Sequence, residues 1–530
     1  MDMQQKLQEL NEKRKVLEQG GGAKEIERQH SMTKLTAWER MELLFDSGTF
    51  RELNIWSVPL KTSFDIDDRN LPRDAVVIGY GEVHGRPVLS YGHDFTALAG
   101  TQAVVQNSKV AKIMQRAVVE GIPFVGMADS GGVRIHDMFG RSGFRPLIRG
   151  CTIAEAGHLM YSPPIASGVV PQISLMIGPC YAGSAYSPIM ADFVIMCKGT
   201  SYMSVASPPL LKAVTSVDAT QEEIGGAWLH ATTTGSCDFF VESDEEAIAR
   251  CRELLSFLPS NWKEKPPRVD TGDDPNRREE KLLHIVSLDA SLPYDVHDVI
   301  SQVVDNGHFF ELQSLFAPNL VIGLSRLAGQ VVGIVANNPA VAAGSLDVNT
   351  SDKEARFIRC CDAFNIPLIF LVDTPGFLPG KEQEQSREGL ERHAAKPVFA
   401  ICESTVPKIV VYLRKCYGAG RLVMGTERMG VDAVYAWPSA ELRVVDIEAA
   451  IKEIHRKDLT SAENPEQWLA EKVKEFSERF AEPDLSGAIQ TVEDIIDPQE
   501  TRPLLIKTLK RLSGKLEPAR PWRKHSLVPL

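Results

Sequence analysis

The spacing of apolar residues switches between a helical and a strand period, and it does so twice along the chain. Val110, Ile113, Met114, Ala117 and Val118 fall at i, i+3, i+4, i+7 and i+8, one buried helical stripe. An apolar run from Pro123 to Ala128 follows, short enough for a strand buried on both faces. A second run, Val169 to Ile177, leads into the small-residue turn Gly178 to Ala185 and a further predicted helix. The same order recurs later. Phe357, Ile358 and Cys361 mark a helix, Pro367 to Val372 and Lys408 to Leu413 mark strands, and Tyr417-Gly418-Ala419-Gly420 marks the turn. Strands alternating with helices predict βαβ units and an α/β fold. The first nineteen residues mix acids with bases and read as a surface helix stopped by Gly20-Gly21-Gly22.

The recurrence is a duplication. Gly85 to Gly132 matches Gly329 to Gly376, 244 positions later and without a gap. Val88 falls on Val332, Ala99-Gly100 on Ala343-Gly344, Lys109 on Lys353, Asp129 on Asp373 and Gly132 on Gly376. A second block matches 236 positions later, Cys180-Tyr181-Ala182-Gly183 on Cys416-Tyr417-Gly418-Ala419. Two copies of one domain are expected, residues 1–262 and 280–515, with a polar, proline-bearing linker at 263–279 and a tail at 516–530.

Composition narrows the class. With 530 residues the chain is too long for one ordinary core. A net charge of −12 offers no basic excess for nucleic acid. No apolar run is long enough to span a bilayer. The N-terminus lacks the pattern of a secretory or transit peptide, so a cytoplasmic protein is expected ahead of a mitochondrial one. Nine cysteines without ligand-like pairing read as reduced core thiols and give no metal site. The glycine run at 20–22 has no following Gly-Lys-Ser or Gly-Lys-Thr, which makes it a poor phosphate loop.

The chemistry-bearing candidates are the two small-residue turns. Unpaired amides where a helix opens attract negative charge, and small side chains let a substrate oxygen approach the backbone. That is the recipe for an oxyanion hole. Tight helix–strand packing calls for the same small residues, so each turn taken alone leaves both uses open. Side-chain catalysts stand out less. Ser130-Gly131-Gly132 lacks the nucleophile-elbow pattern, and His93, His136, His230 and His393 are isolated. Asp129 and Asp373 end predicted strands, where capping of the next turn is expected. The charges from Glu382 to Arg392 read as a solvated helix face.

Nearly end to end, the chain resembles the carboxyltransferase β-subunits of biotin-dependent propionyl-CoA and acyl-CoA carboxylases. It is also similar to the transcarboxylase large subunit and to biotin-dependent decarboxylase α-subunits. The resemblance rests on Gln29-His30, Lys34-Leu35-Thr36, Glu39-Arg40, Leu44 to Phe50, Asp129-Ser130-Gly131-Gly132, Gly178-Pro179-Cys180 and Tyr186-Ser187-Pro188. It continues through Gly225-Gly226-Ala227, Asp362 to Pro367, Pro375 to Gly380, Tyr435-Ala436-Trp437-Pro438 and the tail from Arg523 to Leu530.

The resemblance implies two tandem crotonase-like β-β-α superhelix domains, usually assembled as a hexamer, with acyl-CoA held by the first and biotin by the second. The family's paired residues map to Ala182 and Gly183 for the thioester oxyanion, and to Ala419 and Gly420 for the ureido oxygen of biotin. Ala99, Gly100, Gly131, Gly132, Arg134 and Tyr186 are the implied CoA and acyl contacts. Ala343, Gly344, Gly376, Phe377 and Leu422 are the implied biotin contacts. Biotin and its ATP-driven carboxylation would come from a biotin carboxylase and carrier partner, since no Met-Lys-Met attachment site is present.

Departures from the pattern are Ala182 and Val133, a longer stretch at Cys151 to Pro164, Ser207 and Asp446 in place of glycines, and Arg421-Leu422 after the second turn. They leave the acyl group open. They also keep two alternatives, a decarboxylase α-subunit running the reverse half-reaction and an inactive scaffold paralogue.

Overall fold

The computed structural model describes residues 2–60, 72–134, 157, 159–385, 389–480, 490–516 and 524–529. His136, most of the 151–158 stretch and Arg523 lie outside them. The chain divides into two compact units, Met1–Lys265 and Pro266–Leu530. The stretch expected to link them hydrogen-bonds within the second unit, for example from the Val269 amide to the Gly329 carbonyl.

Both units are α/β, with one eight-stranded sheet each. In the first, the strands are β1 (Arg51–Leu53), β2 (Val76–Val83), β3 (Arg86–His93), β4 (Phe124–Ser130), β5 (Gln172–Tyr181), β6 (Phe193–Cys197), β7 (Tyr202–Ser204) and β8 (Phe239–Val241). They run side by side as β1-β2-β3-β4-β5-β6-β8, with β7 also on β5. In the second, they are β9 (Phe309–Leu312), β10 (Leu320–Leu327), β11 (Gln330–Asn337), β12 (Leu368–Thr374), β13 (Lys408–Tyr417), β14 (Ala433–Ala436), β15 (Glu441–Arg443) and β16 (Asp494–Ile495). Their order, β9-β10-β11-β12-β13-β14-β16 with β15 on β13, repeats the first path element for element.

The shared local sequence explains the shared path. Two-residue loops with positive φ, His84-Gly85 and Ala328-Gly329, close the β2–β3 and β10–β11 hairpins. From β3 and β11 onward the pairing is parallel, which requires a crossover helix. The helices Val104–Glu120 and Val348–Ala363 supply it. The first buries Val110, Ile113, Met114 and Ala117 against Val76, Ile78, Leu89 and Phe124, and leaves Val118 at the margin. The matched lysines are buried in both copies. Lys109 donates to the carbonyls of Arg73 and Val76, and Lys353 to those of Gln313 and Phe316. Burial pushes Lys109 down to about 8 and Lys353 to about 7.

Glu354 sits beside Lys353 with no exposed surface, and neither carboxyl oxygen has a hydrogen-bond partner among the described residues. Burial raises its pKa well above the usual range. The folded protein therefore holds a proton there that the unfolded chain releases above about pH 4.3. Stability then falls as pH rises from that point, by up to about 1.4 kcal/mol per unit. Glu354→Gln is expected to remove this slope and to be more stable than wild type at pH 7. Denaturation at pH 5 and pH 8 checks it, and a wild-type-like slope in the variant counts against a protonated Glu354.

Candidate active site

Three strand ends converge in each unit. In the first, β3 runs into a turn in which Leu98, Ala99 and Gly100 all have positive φ (48°, 52° and 61°). The equivalent turn after β11 repeats this at Ala342, Ala343 and Gly344 (47°, 55° and 74°). Left-handed alanines cost stability and persist where the surroundings fix them, here at the same place twice. Gly100 is required by close approach, because a Cβ there would lie 2.3 Å from the Asp129 carbonyl; Gly344 meets Asp373 at 2.4 Å.

The next strand end is tied to this turn. The Gly131 amide donates to the Ala99 carbonyl at 2.8 Å, and the Gln102 amide to Gly132 at 2.8 Å. In the second unit the Leu346 amide donates to Gly376 at 2.9 Å, and Leu346 bridges Phe377. The third strand end carries the helix-opening amides. Helix Gly183–Ile189 follows β5, and helix Gly418–Val423 follows β13. A Cβ on Gly420 would stand 2.8 Å from Gly376 Cα, so the second and third turns are in direct contact.

Pairing within the sheets repeats the alignment of the two turns. Tyr181 pairs with Ser204 and Tyr417 with Arg443 at the ends of β5 and β13, so Ala182 corresponds to Gly418 and Gly183 to Ala419. The Ala182 amide is committed to the Ser204 carbonyl at 3.1 Å. Gly183 and Ser184, and Gly418, Ala419 and Gly420, are the opening residues of the two helices, where an amide has no intrahelical acceptor. Ala182 itself has φ 53° and ψ −125°, a conformation that glycine adopts more cheaply.

The other expected residues divide into open and buried. Tyr186 and Leu422 are each 48% exposed on the short helices, Ala343 is exposed, and Phe377 is half-buried. Arg134 is turned inward. Its guanidinium pairs with Asp74 at 2.5 Å and donates to the Thr101 carbonyl at 3.1 Å, so it braces the loop. Ser207 and Asp446 precede the helices Pro208–Thr215 and Ile447–Ile454 with negative φ, which any residue adopts. Asp446 also accepts from the Glu448 amide.

A cavity of about 600 Å³ opens beside Ala99, walled by Phe95 to Ala99 and by Gly21, Glu25, Arg28, Gln29 and Met32. The wall from the N-terminal segment was not anticipated; its only signals in the sequence are the glycine run and the Gln29-His30 motif. The Gly21 amide is taken by Thr96 Oγ1 at 2.9 Å, which leaves the run a packing role.

Side-chain catalysts do not gather at the turns. Ser130 is buried and accepts from the Gly132 amide at 3.2 Å. His93 is buried, accepts the Asp129 amide on Nδ1 at 3.2 Å, and is pushed by burial down to about 4, hence neutral. His230 bonds the Met203 carbonyl, and His393 pairs with Asp352. Asp129 and Asp373 cap nothing; both are buried in ion pairs. Among the described residues no cluster of histidines, cysteines and carboxylates could hold a metal.

A family model described as the carboxyl transferase domain matches residues 28–528. The chain belongs to the carboxyl transferase family. The chain is 42% identical over 530 residues to the carboxyltransferase subunit of propionyl-CoA carboxylase from Haloferax mediterranei, covering 100% of both. It is 41% identical to the α-subunit of methylmalonyl-CoA decarboxylase from Veillonella parvula, over 100% of this chain and 99% of that one. Among solved structures, transcarboxylase 12S with methylmalonyl-coenzyme A bound superposes with a TM-score of 0.93 at 41% identity, covering 100% of this chain and 99% of that one. The carboxyl transferase fold accounts for the two repeated units, and the expected crotonase-like architecture is borne out.

Proposed function

We propose that this carboxyl transferase moves a carboxyl group between biotin, carried on a partner protein, and the α-carbon of an acyl-CoA. The observation that carries the reading is the pair of helix-opening turns, one per unit, whose first amides have no intrahelical acceptor. Carboxyl transfer builds negative charge on two oxygens in turn, the thioester oxygen and the ureido oxygen, and two amide turns meet that demand. Gly183, with Ser184, would donate to the thioester oxygen; Ala419 and Gly420 would donate to the ureido oxygen. The biotin ring fits the second turn chemically, since a neutral ring whose oxygen turns anionic needs donors rather than a counter-ion. Bound there, it supplies the carboxyl group in one direction and accepts it in the other, and exchanges the α-proton.

The chain's own task is then to place two substrates and exclude water. The cavity beside Ala99 suits the CoA moiety, and Gly100, Gly131, Gly132 and Tyr186 would contact the acyl-CoA. Gly344, Gly376, Phe377 and Leu422 would line the biotin side. Amides act identically forwards and backwards, so the turns support carboxylation and decarboxylation alike. The substitutions Ser207 and Asp446 leave both turns intact, which favours an enzyme over a scaffold. We place it in the cytoplasm, as a homohexamer working with biotin carboxylase and carrier subunits.

The test offers a panel of acyl-CoAs with free biotin or the biotinylated partner and follows carboxyl exchange in both directions. Exchange with one acyl class is expected. A flat result across the panel overturns the proposal, and exchange confined to decarboxylation selects the reverse enzyme.

A further inference from the structure

In both units the first break in the parallel ladder falls at the same aspartate. Pairing of β4 with β5 is regular to Ala128 opposite Met176 and resumes at Ser130 opposite Cys180, so Asp129 faces a bulge. In the second unit it is regular to Val372 opposite Tyr412 and resumes at Thr374 opposite Cys416, with Asp373 at the break. A bulge leaves ladder groups unpaired and re-aims the chain beyond it. Beyond these two bulges lie the amide turns.

Each aspartate is fixed at its backbone in the same way. The Asp129 amide donates to His93 Nδ1 at 3.2 Å, and the Asp373 amide to Asn337 Oδ1 at 3.3 Å, from matching positions at the ends of β3 and β11. Each carbonyl lies under the glycine of the left-handed turn. Each carboxylate is fully buried and meets cations, yet the cations come from different places. In the second unit Arg414 Nε donates to Asp373 at 2.9 Å and the Lys415 amide at 3.1 Å, both from the bulged strand β13.

In the first unit the residues matching Arg414 and Lys415 are Gly178, which brings no cation, and Pro179, which brings no amide hydrogen. A Cβ at Gly178 would stand 1.8 Å from Asp129 Oδ1. The space is filled instead by Lys34 at 2.7 Å and Arg40 at 2.9 Å, reaching in from the N-terminal segment. One charge arrangement is thus met by two unrelated sets of residues.

We infer that Asp129 and Asp373 are positioning residues, each holding the bulge that aims one amide turn: Asp129 the Gly183 turn, Asp373 the Ala419-Gly420 turn. The cations differ between the units, whereas the carboxylate, its place at the bulge and the bond its amide makes are the same in both. The inference rests on the carboxyl-transfer reading for the names of the two substrates.

Asp129→Asn and Asp373→Asn keep the side-chain volume and remove the charge. The first is expected to raise KM for propionyl-CoA, or lower kcat at saturating biotin, by about ten-fold or more, leaving KM for free biotin within about two-fold. The second is expected to do the reverse. Lys34→Met, which leaves Arg40 on the carboxylate, is the milder first-unit variant should Asp129→Asn fold poorly, and Arg414→Lys, which keeps a cation beside Asp373, should retain most of the second-unit function. A role confined to stability would lower the melting temperature without dividing the two substrates. Equal effects on both substrates, or none, overturn the inference. Wild-type transfer is the control, because its absence counts against the carboxyl-transfer reading instead.

Discussion

Gly183→Pro is expected to lower carboxyl transfer by roughly 10²–10³-fold, whereas Gly183→Ala should keep most of it. The two variants divide what glycine could contribute at this position. Gly183 opens the helix Gly183–Ile189, and the first helical position is where proline is best tolerated, since the amide there has no helical acceptor. Proline removes the amide and adds its ring at a place where fold is least sensitive to it. Alanine keeps the amide, and among the described residues its Cβ would meet only Gln102 Oε1, at 3.5 Å, an ordinary contact. If small size were the requirement, the alanine variant would suffer with the proline one. If the amide is the requirement, only proline suffers. The loss belongs in kcat/KM measured with the best acyl-CoA of the panel, with assembly size checked alongside. A proline variant that transfers at the wild-type rate removes the Gly183 amide from the chemistry.

The sequence carried the repeated architecture because its signals are local. The stripe at Val110 to Val118, the apolar runs and the glycine turns each specify one element, and the 244-residue offset says that the elements recur in one order. The site was legible only as far as residue type reveals it. Ala182 and Gly183 look alike as small residues after a strand, and only the pairing of β5 with β7 shows that the first amide is taken by Ser204. The resemblance gives Arg134 as a CoA or acyl contact, and its ion pair with Asp74, 60 positions away, is visible only in the fold. Asp129 reads as a cap because Lys34 and Arg40 lie 95 and 89 positions away, where no periodicity reaches. The wall of the cavity was hidden for the same reason. Its residues are ordinary in an N-terminal helix, and they line a site only because helix Ala23–Ser31 is placed beside the turn at Ala99.

Arg40→Met is expected to be the most destabilising of the substitutions considered, by about 3–5 kcal/mol. Arg40 projects from helix Ala37–Leu44, whose start is fixed by a capping box between Thr36 and Glu39. It has no exposed surface and bridges two buried carboxylates, Asp129 at 2.9 Å and Asp244 at 2.8 Å. Methionine fills much of the volume, so packing changes little and the loss is electrostatic. Lys34 still neutralises Asp129, but among the described residues Asp244 keeps only the Leu35 amide as a hydrogen-bond donor, and burial already raises its pKa. In the variant the folded state takes up a proton that the unfolded chain releases above about pH 3.9. The folded form then binds more protons, so its stability falls as pH rises through and above that value. The deficit relative to wild type should be larger at pH 8 than at pH 5. Adding Asp244→Asn to Arg40→Met removes the orphaned charge and should recover part of the loss. Urea denaturation of the three proteins at both pH values gives the comparison. A variant as stable as wild type at pH 8 would mean that water, rather than Arg40, satisfies these carboxylates.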